Sequence, residues 1–317
     1  MPDLPFSRDE YDLRLHKVRR SMDARGLQAL FVTDPSNMAW LTGYDGWSFY
    51  VHQGVFLTLE GEPVWWGRAM DAVGAGLTTW LSADNIRGYD DSYVQNPDKH
   101  PMSDLADLIR ARTAPDARIG LEMDNYYFSA AAFLCLQQTL GGMQFSDATG
   151  LVNWQRAVKS ETELTYMRRA ARIVEAMHRT IRDRAEPGLA KNQLIADIYH
   201  TSVAGAEGHW GDYPAIVPMA PSGVDATAPH LTWDDSPLRA GESTFFEIAG
   251  AHRRYQCPQS RTLFLGKPPQ KYVDAEKAVL EAVEAGLEAA KPGNLCEDIA
   301  RAFNTTLNKL GFEKDSR

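Results

Sequence analysis

The segment FFEIAGAHRRYQCPQSRTLFLG, residues 245–266, contains the side chains with the clearest capacity for chemistry. Glu247 is a single carboxylate in an otherwise apolar run that has the composition of a β-strand. In a strand, Phe246 and Ile248 share the face opposite to Glu247, so one face can pack on helices while the other directs the carboxylate into a cavity. Such a carboxylate could serve as a general base, a nucleophile or the partner of a cation. An exposed glutamate of an edge strand is the alternative interpretation.

Four other side chains around this segment are candidates for the same site. His230 lies in the loop APHLTWDDSP, between two prolines, where a histidine could transfer protons near neutral pH. Arg261 has the planar guanidinium that suits the carboxylate of a substrate. Tyr213 and Tyr255 are candidate substrate contacts. The alternatives are a surface position for His230 and a structural ion pair for Arg261.

An aromatic segment in the first half of the chain, WLTGYDGWSFYVHQ, spans residues 40–53. Most of its rings are expected to lie in a core. A segment so rich in aromatic side chains is also a reasonable wall for a cationic or ring-shaped ligand. Trp40, Phe49 and His52 are therefore candidate substrate contacts as well.

The composition excludes several classes of function. The chain has 33 basic and 42 acidic residues, a net charge of −9, and no basic run that would suit nucleic acid or an anionic membrane. It lacks the glycine-rich phosphate-binding motifs, the GxSxG nucleophile elbow and HExxH. Three widely spaced cysteines without a CxxC pair argue against a disulfide framework or a zinc site. With no secretion signal and no long apolar span, we expect a cytoplasmic protein.

A length of 317 residues favours two domains. The first half alternates helical and strand-like patterns, which predicts an α/β domain over residues 1–155. We expect helices at about 7–24, 102–112 and after 129, and strands at 28–33, 54–59, 63–66, 118–123 and 144–149. Residues 34–37, DPSN, have the chemistry of a turn.

The second half, residues 156–317, has a different order of elements. We expect helices at about 161–183, 192–204, 273–290 and 296–309, with the strand pair between the second and the third. Helices followed by antiparallel strands and further helices predict an α+β domain.

The strings DPSNMAWLTGY, SGVDATAPH, FFEIAG and SRT are similar to segments of the creatinase/aminopeptidase P family. The resemblance covers most of the chain. It implies a smaller creatinase-type α/β amino-terminal domain followed by an α+β catalytic domain of the pita-bread fold. The family's catalytic domain continues with strands that carry further glutamates and a histidine. Because these have no match here, the C-terminal part of the pita-bread domain is expected to be missing.

One departure from the family pattern concerns metal binding. Metal-dependent members have an aspartate at the position of Glu247 and a second aspartate eleven residues later, where this sequence has Pro258. A dinuclear centre needs several carboxylates, and proline offers no ligand atom. The resemblance therefore implies a metal-independent member without a cofactor. In that branch Glu247 matches a substrate-contacting glutamate and His230 matches the catalytic histidine.

Longer strings, among them EMDNYYFSAAAF, NWQRAVKS and GDYPAIVPM, resemble a branch that opens a cyclic amidine bearing a carboxylate. The protonated amidine brings its own positive charge, and Glu247 would face it. Attack by Glu247, or by a water that it activates, would give a tetrahedral centre, and His230 would protonate the leaving nitrogen. The resemblance also implies a homodimer in which the amino-terminal domain of one subunit borders the other subunit's pocket, through Phe49 and His52.

The sequence leaves two other functions open. One is a metal-dependent Xaa-Pro-type peptidase or a dimethylsulfoniopropionate lyase of the same fold. The other is a non-catalytic binder of compatible solutes. Two tightly held metal ions per subunit would favour the first, and binding without turnover would favour the second.

Overall fold

The computed structural model describes residues 3–314 of the chain. The chain divides into two units, Met1–Thr165 and Tyr166–Arg317. The sequence predicted two domains with the division after residue 155, and the structure places it after residue 165.

The first unit alternates helices with short strands. Its elements are α1 (Arg8–Ala24), β1 (Ala29–Val32), α2 (Pro35–Thr42), β2 (Gly54–Thr58), β3 (Val64–Arg68), α3 (Ala69–Thr78), β4 (Ile86–Tyr89), α4 (Met102–Arg112), β5 (Arg118–Leu121), α5 (Ala130–Thr139), β6 (Gln144–Asp147) and α6 (Leu151–Arg156). The strands form one sheet in the order β4-β3-β2-β1-β5-β6. The β1–β2 and β2–β3 pairs are antiparallel, and the other three pairs are parallel.

Local chemistry explains where the first two helices begin. Ser7 caps α1 by accepting the backbone N–H of Glu10 at 3.3 Å. Asp34 caps α2 by accepting the N–H of Asn37 at 2.9 Å, and Pro35 occupies the first helical position. The turn predicted at residues 34–37 is therefore the start of a helix, because an aspartate followed by proline suits either structure.

A buried ionic cluster stabilises the first unit. Arg14, only 2% exposed, pairs with Glu10 at 2.6 Å and with Glu163 at 3.5 Å, and it donates to the carbonyl oxygen of Trp40 at 2.9 Å. The indole N–H of Trp40 donates to Glu163 at 2.9 Å. Buried charges are tolerated only when each is paired and hydrogen-bonded, and this cluster meets that condition.

The second unit packs helices on an antiparallel strand pair. Its elements are α7 (Glu161–Arg184), in which the division falls, α8 (Lys191–Ala204), β7 (Ser243–His252), β8 (Tyr255–Phe264), α9 (Gln270–Ala289) and α10 (Cys296–Lys309). Residues of α7 and α8 form a core with Phe246 and Ile248. Gly250 lies against α7 so closely that a Cβ atom there would come within 2.3 Å of the Ala170 carbonyl oxygen. The α+β order predicted for the second half is confirmed.

Within residues 3–314, no helix is both long enough and apolar enough to cross a lipid bilayer.

Replacing Arg14 with alanine tests the buried cluster. The substitution leaves the carboxylates of Glu10 and Glu163 without their buried partner, so we expect the free energy of unfolding to fall by about 3–5 kcal/mol. Urea denaturation followed by tryptophan fluorescence measures it. Arg8→Ala is the matched control, because its pair with Asp12 is about half exposed and is expected to contribute less than about 1 kcal/mol. Equal effects of the two substitutions would contradict this account.

Candidate active site

The pairing of β7 with β8 decides which side chains lie beside Glu247. Glu247 is opposite Ser260, and Ala249 is opposite Pro258. Side chains that are opposite or two residues apart share a face in an antiparallel pair. Glu247, Ser260 and Pro258 therefore lie on one face. Phe246, 1% exposed, lies on the other, which packs on the helices. The predicted alternation around Glu247 is confirmed.

The other edge of β7 pairs with residues 219–222. Met219 and Glu247 exchange backbone hydrogen bonds at 3.0 and 3.2 Å, so the side chain of Met219 also shares the face of Glu247. The next backbone row begins at Thr232, whose carbonyl oxygen accepts the N–H of Ala220 at 3.0 Å. Glu247 therefore lies in a pleated surface of four backbone rows.

His230 lies two residues before Thr232 and is exposed. The row of Thr232 is two strand spacings from β7, a lateral distance of about 10 Å. The backbone of His230 has a φ of +68°, in the left-handed region that histidine visits more readily than most residues. The structure thus brings the His230 loop towards the strand of Glu247 through successive backbone pairs.

The residues on the Glu247 face do not fit a dinuclear metal centre. Pro258 occupies the position diagonal to Glu247, and its side chain has no donor atom. Over the described part of the chain, no group of three or more His, Cys, Asp or Glu side chains is placed to hold a metal ion. A single carboxylate cannot hold two divalent cations together.

Arg261 and Tyr255 lie on the opposite face from Glu247. Arg261 is opposite Phe246, and Tyr255 is opposite His252. The guanidinium of Arg261 is exposed and donates to the carbonyl oxygen of Ser260 at 2.7 Å, while the ring of Tyr255 lies 5.8 Å from that of Tyr166. The register therefore does not bring either side chain to Glu247.

Tyr213 belongs to a loop fastened to the turn of the hairpin. The N–H of Asp212 donates to the Ala251 carbonyl oxygen at 2.9 Å, and its carboxylate accepts the N–H of Arg254 at 3.0 Å. The guanidinium of Arg254 lies 4.5 Å from the centre of the Tyr213 ring. Since Ala251 is four residues from Glu247, this loop lies about 13 Å along the strand.

Sequence reasoning missed His252, which holds the same loop. His252 is 2% exposed, and its Nδ1 donates to the Trp210 carbonyl oxygen at 2.9 Å. Its Nε2 lies 3.4 Å from a guanidinium nitrogen of Arg169 and must accept, because arginine can only donate. Burial lowers the pKa of His252, and the nearby charge of Arg169 adds to the effect. Strand alternation from Phe246 was the available signal, since residues 246, 248, 250 and 252 share a face.

The first unit contains the other three predicted contacts. Phe49 packs edge-on against Tyr127 at 5.8 Å, and Trp40 is buried in the ionic cluster with Arg14. Burial lowers the pKa of His52 to about 4, with a smaller contribution from His100. Trp40 is therefore a buried structural residue, whereas Phe49 and His52 are partly accessible.

Both units match known domain families. Residues 14–158 match the Creatinase/Prolidase N-terminal domain, and residues 165–317 match Metallopeptidase family M24. A prolidase structure from Thermococcus sibiricus is similar with a TM-score of 0.82 at 17% identity, and the match covers 95% of this chain and 78% of that one. Together the fold and the two domains define the class as two-domain hydrolases with a pita-bread catalytic domain.

Relatives with higher sequence identity show the family to which the chain belongs. Ectoine hydrolase from Halomonas elongata is 57% identical over 317 residues, which cover 98% of this chain and 79% of that protein. An uncharacterized hydrolase/peptidase from Sinorhizobium fredii is 38% identical, over 99% of this chain and 80% of its own length. The chain therefore belongs to the M24 family, as a hydrolase with a creatinase-type amino-terminal domain, and the family resemblance predicted from the sequence is confirmed.

The lowered pKa of His252 predicts a pH dependence of stability. Neutral His252 stabilises the fold fully above its unfolded pKa of about 6.5, and this contribution is lost as pH falls through the lower folded pKa. We expect the free energy of unfolding to fall as pH decreases below about 6.5, and to fall less in His252→Gln. Urea denaturation at several pH values measures the difference.

His200→Gln is the matched control, because His200 is exposed on α8. It should leave the pH dependence of the wild type unchanged. A pH dependence in His252→Gln that equals the wild-type dependence would contradict the role assigned to His252.

Proposed function

We propose that the chain hydrolyses the ring of ectoine, and of hydroxyectoine, to N-acetyl-L-2,4-diaminobutyrate without a metal ion. The observation that carries this proposal is the lone carboxylate of Glu247 on a strand face where Pro258 takes the second ligand position of the metal-dependent pattern. Similarity to the ectoine hydrolase of Halomonas elongata supports the choice of substrate.

The charge of the substrate suits a face with one carboxylate. Ectoine is a six-membered cyclic amidine bearing a carboxylate, and its amidine is protonated near neutral pH. Opposite unit charges 4 Å apart attract by about 4 kcal/mol at an effective dielectric constant of 20. Glu247 is partly buried, so its attraction for an amidinium is stronger than the same pair would have in water. Glu247 therefore both binds the ring and orients it.

The reaction adds one water across the amidine. Either Glu247 attacks the amidinium carbon and the adduct is then hydrolysed, or Glu247 takes a proton from a water that attacks. Both routes form a C–O bond and a tetrahedral carbon, and the bond from that carbon to one ring nitrogen then breaks. The leaving nitrogen takes a proton, which we assign to His230. The products are an acetamide group and a free amine on one chain, which balances the water consumed.

Two neighbouring residues share the face of the carboxylate. Ser260 is directly opposite Glu247, so its hydroxyl lies on the same side of the strand pair. Met219 flanks Glu247 on the other side and gives the ring an apolar, adaptable neighbour. A fixed carboxylate orientation matters because attack requires the reacting atoms about 3–3.5 Å apart.

The carboxylate of the substrate requires a donor other than Arg261, which faces away from Glu247. We assign this role to backbone N–H groups of the loops around Glu247. Tyr213 is a further proposed contact, whose side chain would have to reach back along the strand from a loop about 13 Å away. We also propose a homodimer, in which Phe49 and His52 of one subunit border the pocket of the other. Light scattering during size-exclusion chromatography distinguishes a dimer from a monomer.

Glu247→Gln tests the proposed reaction. The amide keeps the shape of the side chain but can neither take a proton nor form the adduct, so we expect turnover to fall by about 10²–10⁴-fold. Mass spectrometry of N-acetyl-diaminobutyrate formed from ectoine measures it. Glu242→Gln, a partly exposed residue just outside β7, is the control and should retain turnover. Unchanged turnover in Glu247→Gln would contradict the proposal. If the wild-type protein bound ectoine without forming product, a non-catalytic solute binder would be favoured instead.

Elemental analysis tests metal independence. Since Pro258 offers no ligand, the purified protein should hold far less than one metal ion per chain, and a chelator should leave turnover unchanged. Pro258→Asp places a second carboxylate diagonal to Glu247, so it should raise metal retention and weaken ectoine turnover. Two tightly held ions per wild-type chain would refute metal independence and favour a peptidase.

A further inference from the structure

The first unit contains a cavity whose lining, apart from His52, has no role in the proposed reaction. Its volume is about 280 Å³, and its walls come from residues 50–52, 89, 93–96 and 99–101. This volume is just below the range for drug-sized ligands, which begins near 300 Å³. The cavity therefore suits a ligand of one ring rather than a cofactor.

Two imidazole rings lie close together at this cavity. The rings of His52 and His100 have centroids 4.8 Å apart. Nδ1 of His100 accepts the N–H of Met102 at 3.2 Å, so the proton of the neutral ring is on Nε2, which is left to donate. Desolvation lowers the pKa of both histidines, so both are neutral hydrogen-bonding groups near pH 7.

A cation and aromatic rings complete the lining. The ammonium of Lys99 lies 5.7 Å from the centre of the Tyr93 ring, and Tyr50 contributes a second, exposed ring. Asp90 is the acidic group that interacts electrostatically with Lys99, and it already accepts the N–H of Ser92 at 2.8 Å. The cavity thus combines an apolar, ring-binding wall with a positive charge and an imidazole donor.

The wall also includes a strained residue. Gln95 has a φ of +53°, a conformation that residues other than glycine, asparagine, aspartate and histidine rarely adopt. The side chain of Asn96 holds the loop in place, because it donates to the Ser92 carbonyl oxygen at 2.8 Å and accepts the N–H of Asp98 at 2.8 Å. Strain that is held in this way is characteristic of ligand-binding loops.

We propose that this cavity binds a small planar-ring carboxylate, with the carboxylate on Lys99 and His100 and the ring between Tyr50 and Tyr93. The charged end pairs with the ammonium of Lys99 and accepts the Nε2–H of His100. The ring replaces water against the tyrosines. None of Lys99, His100, Tyr50 and Tyr93 is assigned a role in the ring-opening reaction at Glu247, so either proposal can fail without the other.

Benzoate is the probe, titrated into the full chain in the absence of ectoine. Histidine ring resonances in NMR should shift on addition of benzoate for His52 and His100, and saturate. Benzamide, which has the same ring without the charge, should bind at least about 10-fold more weakly. Lys99→Met should weaken benzoate binding at least about 10-fold, whereas Lys159→Met, at another exposed lysine of this unit, should not change it.

Three results would overturn the proposal. The first is the absence of saturable benzoate binding to the wild type. The second is benzoate binding that Lys99→Met leaves unchanged, with circular dichroism showing a folded variant. The third is benzamide binding as tightly as benzoate, which would make the cavity an apolar ring site without selection for the charge.

Discussion

The register between β7 and β8 is the constraint on which the rest of the site depends. A shift of one residue would exchange the two faces of the hairpin and bury Glu247 against the helices. The register is fixed because Phe246 and Ile248 fill the core of the second unit, while Gly250 allows α7 to approach the strand. Hydrophobic packing on one face thus decides which polar side chains meet on the other.

The face that results is unusual for a family named after its metal-dependent peptidases. Only the carboxylate of Glu247 remains. The second ligand position is a proline, whose side chain has no atom that can coordinate a cation. Burial of an unpaired carboxylate is unfavourable, so a cationic substrate that approaches Glu247 both satisfies the group and gains binding energy. In the proposed reaction, the charge that binds the ring also stands beside the carbon to be attacked. On this proposal, the face of Glu247 acts on a cationic ring without a metal ion.

Much of the fold and part of the candidate site were predictable from the sequence, and what could not be predicted has physical causes. Alternation around Glu247 predicted its strand and face, because period-2 patterns survive without tertiary information. The face of the strand pair on which Arg261 lies was not predictable, because it depends on the register set at the turn. The turn residues Arg253 and Arg254 both have positive φ, where glycine or asparagine is usual. The start of α2 was predicted as a turn, because an aspartate followed by proline suits either a turn or the first residues of a helix. His252 gave no chemical signal, since its role comes from partners distant in sequence.

A crystal structure of Glu247→Gln with ectoine tests the central claim most directly, because the slowed variant should retain the substrate. The account predicts one ring bound with its amidine carbon about 3–3.5 Å from the amide of residue 247, on the face shared with Pro258. A ring bound elsewhere, or a pair of metal ions at positions 247 and 258 in the wild-type protein, would contradict it.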